Sequence, residues 1–167
     1  MSETSNLAAF NARPRPDAEA ELLRCCASRA FAAGVAALRP FAEVEGLLDA
    51  AGRAVRRLGW GEVLEALGAH PRIGERAGGG REAAWSRQEQ SGVEDEVRAA
   101  LAEGNRAYEE RFGHVYLVCA SGLSGTEMLA MLRGRLGNDE AAERNVVRGE
   151  LAAITRLRLV KLMEEGR

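Results

Sequence analysis

Apolar residues recur along most of this chain at steps of three and four, the spacing that lines one face of a helix. Leu22, Leu23, Cys26 and Ala30 share one side of a segment that Asp17, just after "RPRP", is placed to cap. Pro40 is placed to open a second helix, with Phe41, Val44, Leu47, Leu48, Ala51 and Val55 in register. The run "WGEVLEALGA" reads as a short helix ending at His70, because a residue before proline is pushed out of the α region. Residues 76–81, "RAGGGR", read as a loop, and a further short helix is expected within 82–91.

After Gly92 a longer helix carries Val97, Leu101, Gly104, Tyr108 and Phe112 on one face and stops at Gly113. "HVYLVCA" is β-branched and apolar; it is either one short strand or a buried extended connection. Ser124, with Glu127 three residues on, has the spacing of a capping box for the helix in "SGTEMLAMLRGRL". Asn138 is placed to cap the last helix, with Asp139 and Glu140 in its first turn. There is no internal repeat and no long linker. The expected class is all-α: one compact multi-helix domain over residues 1–167 with a short extended segment near 115–120.

Composition narrows the classes. Of 167 residues 46% are hydrophobic, enough to bury a core and too many for a disordered chain. The aromatic share is 5%, so Leu, Ala and Val must fill that core. A net charge of −2 offers no basic field for nucleic acid, and Lys161 is the one lysine among many arginines. Cys25, Cys26 and Cys119 make no disulfide framework and no zinc pattern, which fits a reducing compartment. "MSETSNLAAF" lacks the basic and apolar regions of a signal peptide, and no apolar run nears the roughly 20 residues that span a bilayer. A cytoplasmic protein with no nucleic-acid or membrane partner is expected.

Three places could carry chemistry. His70 stands at a helix end, where unpaired carbonyls favour a protonated imidazole; it suits a proton donor, or it simply bonds those carbonyls. Ser86, Glu89 and Gln90 lie within five residues and face one another at helical offsets, as a polar ligand cluster or as a capping box. Val147, Leu151, Ile154, Arg158 and Leu162 form one stripe of the final helix, so Arg158 points inward while Arg156 points to solvent. An inward guanidinium needs a partner, either a structural carboxylate or a ligand's. His114 reads as a loop residue, Trp60 and Trp85 as core anchors, and "GGGR" lacks the frame of a phosphate cradle. No metal site is expected.

"HPRIGE" at 70–75, "SRQEQSG" at 86–92, "NRAYEERFGHVYLVCA" at 105–120 and "ITRLRL" at 154–159 resemble the 2-oxo-4-hydroxy-4-carboxy-5-ureidoimidazoline (OHCU) decarboxylases of urate degradation. "LLRCCAS" at 22–28 resembles them too, so the likeness covers most of the chain; Phe31 departs, standing where the family often has tryptophan. The resemblance implies an all-α homodimer without cofactor, a carboxy-lyase that makes (S)-allantoin from a small ureidoimidazoline. It implies His70 and Glu89 as catalytic, with His70 protonating the new carbon centre on one face. Pro71 would line the substrate, beside a polar cluster of Ser86, Arg87, Gln88, Glu89 and Gln90. Tyr116, Leu117, Val118, Cys119 and Ala120 would meet the ligand, largely through backbone groups. Arg158 would hold an anionic oxygen of the substrate or fix Glu89. Two other readings remain at this point: hydrolysis of a related ureide, and a helical binding module without turnover.

Overall fold

The computed structural model describes residues 2–74, 85 and 95–165, which contain eight helices and no strand. In chain order these are α1 (Glu3–Ala12), α2 (Arg15–Cys25), α3 (Arg29–Ala36), α4 (Val44–Arg56), α5 (Trp60–Leu67), α6 (Asp95–Phe112), α7 (Gly125–Arg135) and α8 (Glu140–Glu165). The class is all-α, as the periodicity predicts. The chain divides into two compact units, one formed by 1–66 with 151–167 and one by 67–150.

In the first unit, α2 packs on α3, α3 on α4, and α1 against α4. Helix α1 is additional to the elements that periodicity predicts. Its apolar stripe is sparse, with only Leu7 and Phe10 buried, and Ser2 caps it by accepting from the Ser5 N–H. The segment expected as one helix from Asp17 through Ala30 is two. Cys26 is extended, and Ser28 caps α3 by accepting from the Phe31 N–H at 3.2 Å, so a buried hydroxyl competes with helix continuation. Leu22 and Cys26 are buried as expected, whereas Ala30 is exposed. Asp17 lies within the first turn of α2 instead of capping it.

Pro40 does not open α4, which starts at Val44. The reason lies in Phe41, whose N–H donates to Asn11 Oδ1 and whose carbonyl accepts from Asn11 Nδ2, both at 2.9 Å. With its backbone engaged by a side chain from α1, Phe41 has no groups left for a helical turn. Leu47, Leu48, Ala51 and Val55 then form the buried face of α4. Trp60 is half-buried rather than a core anchor, while Trp85 is buried.

In the second unit, α6 packs on α7. Gly104 permits the approach, because a Cβ there would lie 3.1 Å from Leu132 Cδ2. The shared core contains Ile73, Leu101, Tyr108, Tyr116, Val118 and Met128. Helix α6 ends at Phe112, and Gly113 follows at φ 79°, its N–H donating to the Glu109 carbonyl at 2.8 Å. The expected capping box is present: Ser124 Oγ accepts from the Glu127 N–H while Glu127 Oε1 accepts from the Ser124 N–H. The cap of α8 is Asp139, not Asn138: Asp139 Oδ1 accepts from the Ala142 N–H at 2.8 Å, and Asn138 Nδ2 donates to Glu143 instead. The charged side chain one residue later, of the same length as asparagine, holds the helix start.

Candidate active site

The turn that carries His70 leaves α5 at Leu67, three residues earlier than the proline rule suggests. The His70 N–H donates to the Leu67 carbonyl at 3.0 Å, closing a tight final turn, and both His70 and Pro71 are half-buried. Ile73 then inserts into the core and Gly74 turns at φ 94°, a backbone that side chains with a Cβ rarely adopt. Helix α6 holds this turn from below. Arg72 makes a two-pronged ion pair with Glu109 at 2.7 and 3.0 Å, Asn105 Nδ2 donates to the Ile73 carbonyl at 2.9 Å, and Arg98 donates to the Gly74 carbonyl. A cavity of about 280 Å³ opens here, with Arg72, Gly74, Arg98, Asn105 and Glu109 in its wall.

Residues 115–120 are an extended connection with no strand partner among the described residues. Tyr116, Leu117, Val118 and Ala120 are buried, and Val115 and Cys119 are half-buried. Side-chain bonds within this unit hold the segment at Tyr116, Leu117 and Cys119. Tyr116 Oη donates to the Met128 carbonyl at 3.0 Å, Arg135 Nη1 donates to the Leu117 carbonyl at 2.7 Å, and the Cys119 N–H donates to Glu150 Oε1 at 3.0 Å. Backbone groups expected to meet a ligand are thus engaged by this unit's own side chains at Leu117 and Cys119. The same core that seats Ile73 of the His70 turn also seats Tyr116, Val118 and Ala120, so both predicted site segments rest on one apolar cluster.

Sequence reasoning missed the polar centre of this unit. Arg135 and Glu143 are buried and paired, with Tyr108 Oη donating to the same carboxylate. Arg135 also lies over the Tyr116 ring, 4.8 Å from its centroid. Burial pushes the Tyr116 phenol up to about 12; nearby carboxylates add to this, and the Arg135 charge opposes it. Tyr116 is therefore a neutral donor, not a base. His114 behaves as the loop residue expected: its Nδ1 meets the Val115 carbonyl at 3.0 Å and its ring packs edge-on against Tyr108.

In the first unit, Arg158 is 5% exposed, so the inward placement read from periodicity holds. Arg156 is exposed and pairs with Glu45 at 3.0 Å. Near Arg158, burial pushes the Cys26 thiol up to about 11, against the pull of a Thr155 hydrogen bond and the Arg158 charge. Ser86, Arg87, Gln88, Glu89 and Gln90 lie outside the described residues, as do the 76–81 loop and the helix expected within 82–91, Trp85 apart. No cluster of three metal-ligating side chains occurs among the described residues, and none of their helices is long and apolar enough to cross a membrane.

Known proteins resemble this chain in sequence and in fold. The chain is 31% identical over 148 residues to the uric acid degradation bifunctional protein TTL of Arabidopsis thaliana, across 84% of this chain and 46% of that protein. It is 28% identical over 125 residues to the 2-oxo-4-hydroxy-4-carboxy-5-ureidoimidazoline decarboxylase of Haloferax volcanii, across 74% of each. A crystal structure of an OHCU decarboxylase in the presence of (S)-allantoin aligns with a TM-score of 0.75 at 29% identity, over 86% of this chain and 97% of that one. The chain thus spans less than half the length of the Arabidopsis protein. Residues 11–160, which include the His70 turn, the 115–120 segment and Arg158, match the family described as OHCU decarboxylase, and the chain belongs to that family.

Proposed function

We propose that this protein decarboxylates 2-oxo-4-hydroxy-4-carboxy-5-ureidoimidazoline to (S)-allantoin in urate degradation, without a cofactor and with His70 as the proton donor. The observation that carries the reading is the family match over residues 11–160, within which "HPRIG" keeps its histidine half-buried on a braced turn. The substrate supplies its own electron sink. Its carbon–carboxylate bond breaks with loss of carbon dioxide, the electron pair forms a double bond to the neighbouring imine carbon, and the imine π pair moves to nitrogen. The resulting enol gives up its hydroxyl proton, the nitrogen takes one up to become N–H, and a carbonyl forms as the former imine carbon receives its proton from His70. Which face receives that proton decides the configuration, and a fixed imidazole on one side gives a single enantiomer.

In this reading Glu89 and Gln90 orient the ring and ureido group, with Ser86, Arg87 and Gln88 beside them. Pro71 and the 116–120 segment line the substrate, and Arg158 holds an anionic oxygen or fixes Glu89. Residues 1–167 act as one domain and pair as a homodimer. Thiols at Cys25, Cys26 and Cys119 fit a cytoplasmic location.

The test follows the decay of freshly oxidised urate by circular dichroism, with carbon dioxide release measured in parallel. Faster decay with accumulation of (S)-allantoin is the expected result. An unchanged rate ending in racemic allantoin favours a binding module, and turnover without carbon dioxide favours ureide hydrolysis. Light scattering at micromolar protein tests the dimer.

A further inference from the structure

We infer that Asn105 is a positioning residue for this reaction: from within α6 it fixes the turn that carries His70. The inference rests on the function proposed above. Its structural basis is a register. Arg72, Ile73 and Gly74 are held in turn by Glu109, Asn105 and Arg98, so α6 grips three successive turn residues in reverse order. The helix positions are separated by four and seven residues, which places all three side chains on one face.

The middle contact is the buried one of the three. Arg72 is half-exposed, so its pair with Glu109 is weakened by solvent. Asn105 is 2% exposed, and its bond to the Ile73 carbonyl is buried. Its other amide atom, Oδ1, has no hydrogen-bond partner among the described residues. An apolar side chain at this position would leave the buried Ile73 carbonyl without its donor, so the bond to the turn is what asparagine contributes here.

That contact reaches His70 through a short, stiff path. The His70 N–H is tied to Leu67, Pro71 restricts the backbone after it, and the Ile73 carbonyl is tied to Asn105. The imidazole is thus carried on a backbone held on both sides. Release of the Ile73 side lets the ring wander, and misplacement of a reacting group by about 1 Å costs on the order of 100-fold in rate.

The experiment uses the full chain. Asn105→Ala is expected to lower kcat by about 10- to 100-fold with little change in KM, to erode the excess of (S)-allantoin, and to speed amide hydrogen exchange at 70–74. Glu109→Gln should move the same readouts in the same direction by less, and it replaces Asn105→Ala if that variant does not fold. Wild-type exchange over 70–74 in the variant overturns the inference. So does faster exchange with kcat and stereochemistry unchanged. A wild-type protein that does not accelerate decarboxylation overturns the functional reading instead, and hydrogen exchange then still decides whether Asn105 holds the turn.

Discussion

Arg135 Nε and Nη2 converge on a single oxygen of Glu143, Oε2, at 2.9 and 2.5 Å, and both side chains are buried. Burial by itself would raise the Glu143 carboxyl, but the bonds from Arg135, Tyr108 and Asn138 and the Arg135 charge outweigh it and hold the group below its ordinary value. Removing the carboxylate leaves a guanidinium buried without its partner. Glu143→Ala should therefore destabilise the fold by about 3–5 kcal/mol, measured by urea unfolding.

The same pair sets an acid limb. A carboxyl depressed in the folded state adds stability that is complete above its unfolded value, about 4.3, and is lost as pH falls through the folded one. Stability of the wild type should fall below about pH 4, and Glu143→Gln should flatten that fall from a lower starting point. Equal slopes in the two proteins would remove Glu143 as the titrating group.

Thiol chemistry separates the cysteines. Because burial pushes Cys26 up to about 11, almost none of it is thiolate at pH 8, and the thiolate is the reactive form. Iodoacetamide should label half-buried Cys119 first and spare buried Cys25 and Cys26 until the protein unfolds, read by peptide mass spectrometry. The folded thiol holds its proton more tightly than the unfolded one, so this contribution to stability is whole at neutral pH and is lost as pH rises through about 11. Early labelling of Cys26 would contradict its burial, at 1% exposed.

Much of this was legible where one period ran long enough. The stripe Val147, Leu151, Ile154, Leu162 carries Arg158 inward because 3.6 residues per turn leaves it no other direction. The same stripe, extended one step toward the N-terminus, lands on Glu143, and Leu101 and Tyr108 bracket Asn105 in α6. Those two buried polar residues were thus within reach of periodicity, but only when polar positions are counted as members of the stripe. Arg135, three residues after Leu132, is the third. What periodicity does not carry is tertiary competition for backbone groups. Asn11 takes both groups of Phe41 across 30 residues, and nothing local to Pro40 signals it.

Two glycines should respond oppositely to alanine. Gly74 sits at φ 94°, and a Cβ there would meet Leu101 only at an ordinary 3.7 Å, so the penalty is backbone strain of about 1–2 kcal/mol. Gly52 lies within α4, with nothing within 4 Å of its added Cβ, so Gly52→Ala should gain about 0.5–1 kcal/mol. Urea midpoints moving in opposite directions are expected. A neutral Gly74→Ala would mean that the His70 turn tolerates another backbone path.

The final prediction isolates the imidazole from the turn that holds it. His70→Asn keeps a polar side chain of similar reach, and the backbone bonds at Leu67 and Ile73 do not involve the ring. The helical fold should therefore be kept, as read by helix content. Asparagine cannot deliver a proton near neutral pH, so turnover should fall by about 10²- to 10⁴-fold, the usual contribution of a positioned acid. What product still forms should lose its (S) excess, because water can protonate either face. A His70→Asn protein that keeps both rate and stereochemistry would move the proton donor elsewhere, with Glu89 the next residue to substitute.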